Sequence, residues 1–506
     1  MLFGTVPTSI PQIILAANWL FEGNFGVKWN QLKSNRLFWI LISFFILHIV
    51  GMLYTNNTQR GLDDLRNKMP LFVLPLIFFS TKPLSVKEFK LLFSLFFLSV
   101  VVSSFWCYLV YAGYTHKVVF DVRKASVFMS HIRFSLFIAF AIIGLIYGFF
   151  TERLLTIKIV FGTAVLWLLF FMYKLEMATG FVCLLIVGII MIILYAFTYL
   201  KKPQSLFVLF VIVALSVYVL NSAQSSLTLF DKDPSLASNK ISKGTASGRG
   251  YFHDTLFQLA ENGTLVLIND NDDELEQEWN KRSSLPFDKL DKKGNNLRFT
   301  ILRYLASKGL CKDSVAINSL TKTEIEQIEN GFSNYKYTMH SGLKSRWREL
   351  VWEYAKYKRG ENPSGHTLMM RLEFWKTACY IIREFPFFGV GTGDIQDAFN
   401  VAYEETNSTL DSVWRLRCHN QYLAIGVAFG IVGLLLFFVY LFLPPIILRK
   451  KLHPLFWSFF SIVLLSFITE DTLETQSGVT FFIFFYTLFL WLAKSNSEIP
   501  ERATPQ

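Results

Sequence analysis

Apolar residues in this chain gather into long uncharged runs divided by short polar stretches. A run of about 18 residues or more is long enough to cross a bilayer as a helix. Runs near or above that length lie at about 9–22, 37–54, 69–81, 91–112, 133–150, 154–172, 178–199, 205–222, 421–447, 454–469 and 478–494. They predict an all-α polytopic membrane protein with about eleven transmembrane helices. Between 222 and 421 the pattern changes to mixed charge without a spanning run, enough chain for a small solvated domain. Helical periodicity returns there at 297–310, 322–331, 343–357 and 366–384, and 274–280 reads as an acidic helix start. Thr321 and Glu324 have capping-box spacing, and the Ser-, Lys- and Gly-rich stretch 224–250 reads as a linker. Strand signals are nearly absent. The chain thus divides into an N-terminal transmembrane bundle (1–222), a large, mainly helical loop domain (223–420), C-terminal transmembrane helices (421–496) and a short tail (497–506).

Composition agrees. The chain has 506 residues, 52% hydrophobic and 17% charged, with 52 phenylalanines, and its mean hydropathy is +0.38. A soluble protein of this size carries more charge. The net charge of +11 falls largely in short loops, where it reports topology rather than a nucleic-acid footprint. Lys28, Lys33 and Arg36, then Lys82, Lys87 and Lys90, Arg153 and Lys158, Lys201 and Lys202, and Arg449, Lys450 and Lys451 fall on one side if the spans alternate. The positive-inside rule makes that side cytoplasmic. The opposite side receives 55–68, 113–132 and the long insert 221–420. The first ten residues lack the basic region of a cleavable signal peptide. None of the five cysteines is spaced as CxxC; Cys311, Cys379 and Cys418 share the external region and leave one disulfide open.

Candidate chemistry collects at 364–433, which reads SGHTLMMRLEFWKTACYIIREFPFFGVGTGDIQDAF, a polar insert, then RLRCHNQYLAIGVAFGIVG. Arg371 and Trp375 are four apart and share a helix face. An arginine fork matches phosphate oxygens and keeps its charge; the plainer reading pairs Arg371 with Glu373 or Glu384. Trp375 offers a stacking face for a sugar. Gly389, Gly391 and Gly393 form a tight turn after Pro386. Such a turn presents amides to a phosphate, or simply connects two helices. It follows a helix and lacks the P-loop lysine, so no nucleotide site is expected. His419 is a candidate general base, or an interfacial histidine bonded to a carbonyl. Asn420 and Gln421 either orient it or bind sugar hydroxyls. His131 and Arg133 form a second cluster at the outer end of the fifth run, where Arg133 is a second phosphate clamp or a snorkelling cation. Glu470, Asp471 and Glu474 are expected in a solvated loop on the same side as His419; the alternative is that one of them orients the histidine or pairs with Arg371. No DxD or His-cluster motif occurs there, so no metal and no cofactor is invoked.

The pattern RLEFW, PFFGVGTGD, HNQYL and FGIVG resembles the bacterial O-antigen ligase and O-antigen polymerase superfamily. The motifs cover about 70 residues, and the span layout with one large late external loop extends the likeness to most of the chain. The resemblance implies a GT-C-like membrane fold. It implies transfer of a glycan from an undecaprenyl-diphosphate carrier at the periplasmic face of the inner membrane, without metal. The acceptor is lipid A–core for a ligase and a further repeat unit for a polymerase. It places the base at His419 and the diphosphate-holding arginines at Arg371 and Arg133. The chain departs from the family where many members have a Ser-Arg pair: here 175–180 reads LEMATG, so Lys174 or Arg133 must compensate. It also has one span fewer than usual. A non-catalytic transporter of lipid-linked sugar would instead favour broken spans with charges at the midplane, whereas most ionisable residues here sit at the outer span ends.

Overall fold

The computed structural model describes residues 5–115, 122–228, 241–254, 260–292, 294–335, 353–354, 357–358, 360 and 362–494. Residues up to 200 and from 362 onward form one compact unit, and residues 201–361 make up most of a second. Residues 362–420, drawn above into the loop domain, pack with the unit that holds the long apolar helices.

The first unit opens with α1 (Thr5–Phe21), α2 (Phe25–Lys33), α3 (Arg36–Gly51), α4 (Thr58–Lys68), α5 (Pro70–Ser80), α6 (Val86–Tyr111), α7 (His131–Thr151), α8 (Leu155–Lys174) and α9 (Ala178–Tyr199). The second unit holds α10 (Lys202–Thr228), α11 (Asp272–Arg282), α12 (Leu297–Ser307), α13 (Ser314–Ser319) and α14 (Lys322–Glu329). The first unit resumes with α15 (Thr367–Glu384), α16 (Ile395–Glu405), α17 (Gln421–Leu448), α18 (Pro454–Thr469) and α19 (Gln476–Lys494). Every predicted apolar run falls on a helix. Seven helices among the described residues are long and apolar enough to cross a membrane: α3, α6, α7, α8, α9, α17 and α19. The other expected spans lie on α1, α5, α10 and α18, whose apolar segments are shorter.

Local chemistry sets the helix ends. Ser85 and Glu88 close a capping box at the start of α6. Pro70 opens α5, where its missing N–H costs nothing. α19 is apolar all round and 89% buried across its apolar window, as a helix inside a bundle must be. It packs on α1, α4, α5, α17 and α18. Its Phe485 ring meets Phe96 and Phe140, each at 5.0 Å. Aromatic packing of this kind holds helices together where lipid supplies no hydrophobic drive.

α17 is not continuous. Gly430 sits at φ 60°, ψ −157° and divides it. The free backbone groups at the break are taken by the preceding loop. Val390 and Gly391 donate to the carbonyls of Val427 (3.0 Å) and Ala428 (2.9 Å), and Ile431 donates to Pro386 (2.8 Å). Backbone polar groups at this depth need such partners. Apolar composition alone predicted one unbroken span here.

The second unit has its own core of Leu275, Trp279, Leu297, Ile301, Leu305, Ile325 and Ile328. The Thr321–Glu324 capping box forms in both directions. Strand structure among the described residues is a two-residue hairpin, Ala260–Glu261 with Thr264–Leu265. Most of the helix predicted at 343–357, and residues 229–240 of the predicted linker, lie outside the described residues.

Candidate active site

Three segments of the first unit meet at one corner: the start of α15, the turn that leads into α17, and the turn between α18 and α19. α15 delivers Arg371. Its Nη2 donates to Glu470 Oε1 at 2.7 Å, with side-chain exposures of 14% and 6%. Neither Glu373 nor Glu384, the partners suggested by sequence, takes this role. Lys376 holds Glu373 instead.

His419 sits in the left-handed region at φ 45°, which few residues with a side chain occupy without outside support. Support comes from both sides. Trp375 Nε1 donates to the Cys418 carbonyl at 3.0 Å. Asn420 caps α17 by accepting from the Leu423 amide at 3.1 Å, and its Nδ2 donates to the Ile468 carbonyl at 3.0 Å. Trp375, offered by sequence as a sugar-binding group, and Asn420, offered either as one or as orienting His419, thus clamp the backbone around His419. The imidazole packs beside Phe374, with centroids 5.8 Å apart. Its Nδ1 faces Asp471 Oδ1 at 3.5 Å. That is an ion-pair separation, and Nδ1 has no hydrogen bond in good geometry. With Nδ1 turned to the carboxylate, Nε2 is the nitrogen left to accept a proton.

The expected solvated loop at 470–474 is instead buried: Glu470, Asp471 and Glu474 are 5%, 6% and 7% exposed. Asp471 pushes the His419 imidazole above its ordinary range, against the opposite pull of burial. Burial pushes the Glu470 carboxyl up, and Arg371 and Arg133 pull it back only partly. Burial also pushes Asp471 up, but His419 and Arg417 outweigh it and the net shift is down. Arg133, two residues into α7, therefore acts on the same carboxylate as Arg371. Its Nε is buried with no hydrogen-bond partner among the described residues. His131 is turned to Ser126 Oγ at 3.2 Å.

One ligand atom each from His419, Glu470 and Asp471 lie within 4.8 Å of one another, a set that could hold a metal ion. Guanidinium groups stand among these carboxylates. Arg371 already holds Glu470, the charge of Arg133 acts on it, and Arg417 lies 3.6 Å from Glu474. Fixed guanidinium groups repel a divalent cation and attract phosphoryl oxygens.

A second network lies beside this corner. Lys68, 1% exposed, binds Asp64 at 2.6 Å and Glu474 Oε2 at 2.9 Å. Gln421, fully buried, donates to Glu474 at 3.3 Å and accepts from the Leu473 amide at 2.7 Å. The turn carrying Glu470 and Asp471 is thereby fixed to α4 and to the start of α17.

The glycine turn is a joint. Gly389 N–H donates to Phe385, Gly391 N–H to Ala428 and Gly393 N–H to Thr55 Oγ1. A Cβ at Gly389 would lie 2.4 Å from the Ala428 carbonyl carbon. Asp394 accepts from the backbone amides of Asn56 (2.8 Å) and Asn57 (2.7 Å), and Arg60 pairs with Asp397. The amides offered by sequence as an anion cradle are thus engaged in docking α15 and α16 onto α3 and the broken α17.

Residues 321–438 match the family model described as O-Antigen ligase. Over that stretch the chain is similar to the O-antigen ligase family. The match includes Arg371, the glycine turn, His419 and the Gly430 break, and covers under a quarter of the chain. No curated protein matches the chain. Arg133, Glu470 and Asp471 lie outside the matched stretch, so the fold brings residues from beyond the family domain to its histidine.

The corner also holds residues that sequence reasoning did not single out. Arg417 is one; it stands two residues before His419, and in extended chain that spacing puts both on one side. Lys68 is another, and no local pattern marks its burial beside Gln421, which sequence reading offered with Asn420 as orienting His419 or binding sugar hydroxyls. In place of the family's Ser-Arg pair, Leu175 and Met177 are buried apolar residues, and Lys174 lies over the Phe170 ring at 5.8 Å. All five cysteines are free thiols, so the disulfide left open among Cys311, Cys379 and Cys418 does not form.

Proposed function

We propose that this protein is an O-antigen ligase-type glycosyltransferase that moves a glycan from undecaprenyl diphosphate to lipid A–core at the periplasmic face of the inner membrane. The observation that carries the reading is the convergence of Arg371, Arg133 and the His419–Asp471 pair on one buried corner. In this reading Arg371 and Arg133 hold the diphosphate. His419 Nε2 takes the proton from the acceptor hydroxyl while its oxygen attacks the anomeric carbon. The bond from that carbon to the diphosphate oxygen breaks, and its electron pair leaves on the diphosphate, whose charge the arginines neutralise. Attack opposite the leaving group inverts the anomeric centre, and the guanidinium pair does the work a metal does elsewhere. Asp471 holds the imidazole by Nδ1 and stabilises the imidazolium that forms.

A polymerase uses the same donor chemistry and differs in the acceptor. The break in α17 is the feature a transporter would share, but its backbone groups are capped by residues 386–391 rather than left open to a passage. The test is a knockout complemented with wild-type or His419→Ala protein, with lipopolysaccharide resolved on a gel. The reading expects long glycan left on the carrier in the knockout, and the same with His419→Ala at normal membrane levels. Single-repeat product in the knockout would assign a polymerase. Normal transfer by His419→Ala would remove the proposed base.

A further inference from the structure

An arginine that is to hold a diphosphate should have its donors free, and Arg371 does not. Its Nη2 is on Glu470 Oε1 at 2.7 Å, and both side chains are largely buried. The contact runs through one nitrogen and lacks the two parallel bonds of a full arginine–carboxylate fork. A single bond holds a side chain in place yet is readily exchanged. Arg133 acts on the same carboxylate and keeps a buried Nε without a partner. Arg371 is thus paired with this carboxylate while Arg133, which also acts on it, leaves the corner with an unused donor.

We propose that Glu470 is a stand-in for the donor's diphosphate, holding Arg371 in position until the lipid diphosphate displaces it from the guanidinium. This rests on the lipid-diphosphate reading above. The exchange follows from charge. A diphosphate linking lipid and sugar carries one negative charge on each phosphoryl group, which matches Arg371 and Arg133. Glu470 left on Arg371 would add a like charge against it at contact distance. The backbone of Glu470 is fixed by its N–H, which donates a hydrogen bond to the Ser466 carbonyl at 2.8 Å, so the side chain alone has to rotate. Glu470 then acts through Arg371: it keeps a buried cation paired while donor is absent, and it sets donor affinity by competing for the same nitrogen. It is a positioning residue.

The measurement is binding of farnesyl diphosphate, a lipid diphosphate without glycan, to the purified full-length protein in lipid nanodiscs by calorimetry. Glu470→Gln is expected to tighten Kd about tenfold, the scale of one charge-assisted hydrogen bond no longer in competition. Arg371→Gln is expected to weaken binding, and adding Glu470→Gln to it should then change Kd by less than about twofold, because the competition has no object. A structural salt bridge predicts the opposite: Glu470→Gln would leave Kd unchanged or weaken it, and that result with a binding-competent wild type overturns the exchange alone. If Glu470→Gln does not fold, Glu470→Asp decides, since a carboxylate one methylene shorter competes less; an equal or weaker Kd overturns the proposal. No binding by the wild type would sink the diphosphate reading itself, and the exchange with it.

Discussion

Asp471→Asn tests how the candidate base is tuned. The substitution keeps shape and removes the charge 3.5 Å from His419 Nδ1. Two unit charges at that distance attract by about 5 kcal/mol at an effective dielectric of about 20. The His419 side chain is 34% exposed, and solvent screening reduces the net effect to about 1–2 kcal/mol. The sign is fixed by the base's working form. Asp471 raises the His419 pKa, so the wild-type imidazole stays protonated to a higher pH than an ordinary histidine. Transfer requires the neutral form and rises as pH climbs through that raised value. In Asp471→Asn the acid limb of kcat/KM should move to lower pH. The plateau should fall about 10- to 100-fold, because the imidazolium formed during transfer loses its counter-charge. The assay is glycan transfer by purified protein in nanodiscs from pH 5 to 9. A limb that stays put or moves to higher pH would show that Asp471 does not set the His419 proton affinity.

Other predictions bear on separate parts of the fold. Lys68→Met removes the buried cation between Asp64 and Glu474, leaves Glu474 only Arg417 and Gln421, and should cost about 3 kcal/mol, read as a lower melting temperature in detergent; adding Glu474→Gln should recover part of it, and an unchanged melting temperature would refute the pairing. Gly430→Ala places a Cβ 2.4 Å from the Phe387 carbonyl carbon at φ 60°, so the protein should lose its monodisperse peak on size-exclusion chromatography; a normal peak would mean the break is not needed. Arg371→Lys keeps the charge but loses the planar fork, and kcat/KM should fall about tenfold, against more than about 100-fold for Arg371→Gln. Equal losses for the two would show that charge plays no part there.

The histidine, the loop arginine and the helices were legible because each leaves a local trace. Arg371 and Trp375 share a face by helical spacing, and His419 stands directly before an apolar run. The roles of Trp375, Asn420 and the glycines were not legible. A tryptophan reads equally as a stacking surface or as a donor to a carbonyl, and only its 3.0 Å bond to Cys418 decides between them. The acidic turn misled for a related reason. Three carboxylates within five residues read as solvated, since a buried charge is costly. Their counter-charges, Lys68, Arg371 and Arg417, lie far away in sequence.

The sequence by itself determined that this is a helical membrane protein and set its candidate residues near the ends of its spans, because hydropathy and helical period are properties of neighbours along the chain. Only the tertiary structure decided which carboxylate serves which cation: Glu470 on Arg371, Asp471 on His419, Glu474 on Lys68. Ion pairing in a buried site depends on distance and desolvation, and neither is written in the order of the residues. The break in α17 belongs to the same class, since Gly430 leaves the helix only where residues 386–391 are present to satisfy its backbone.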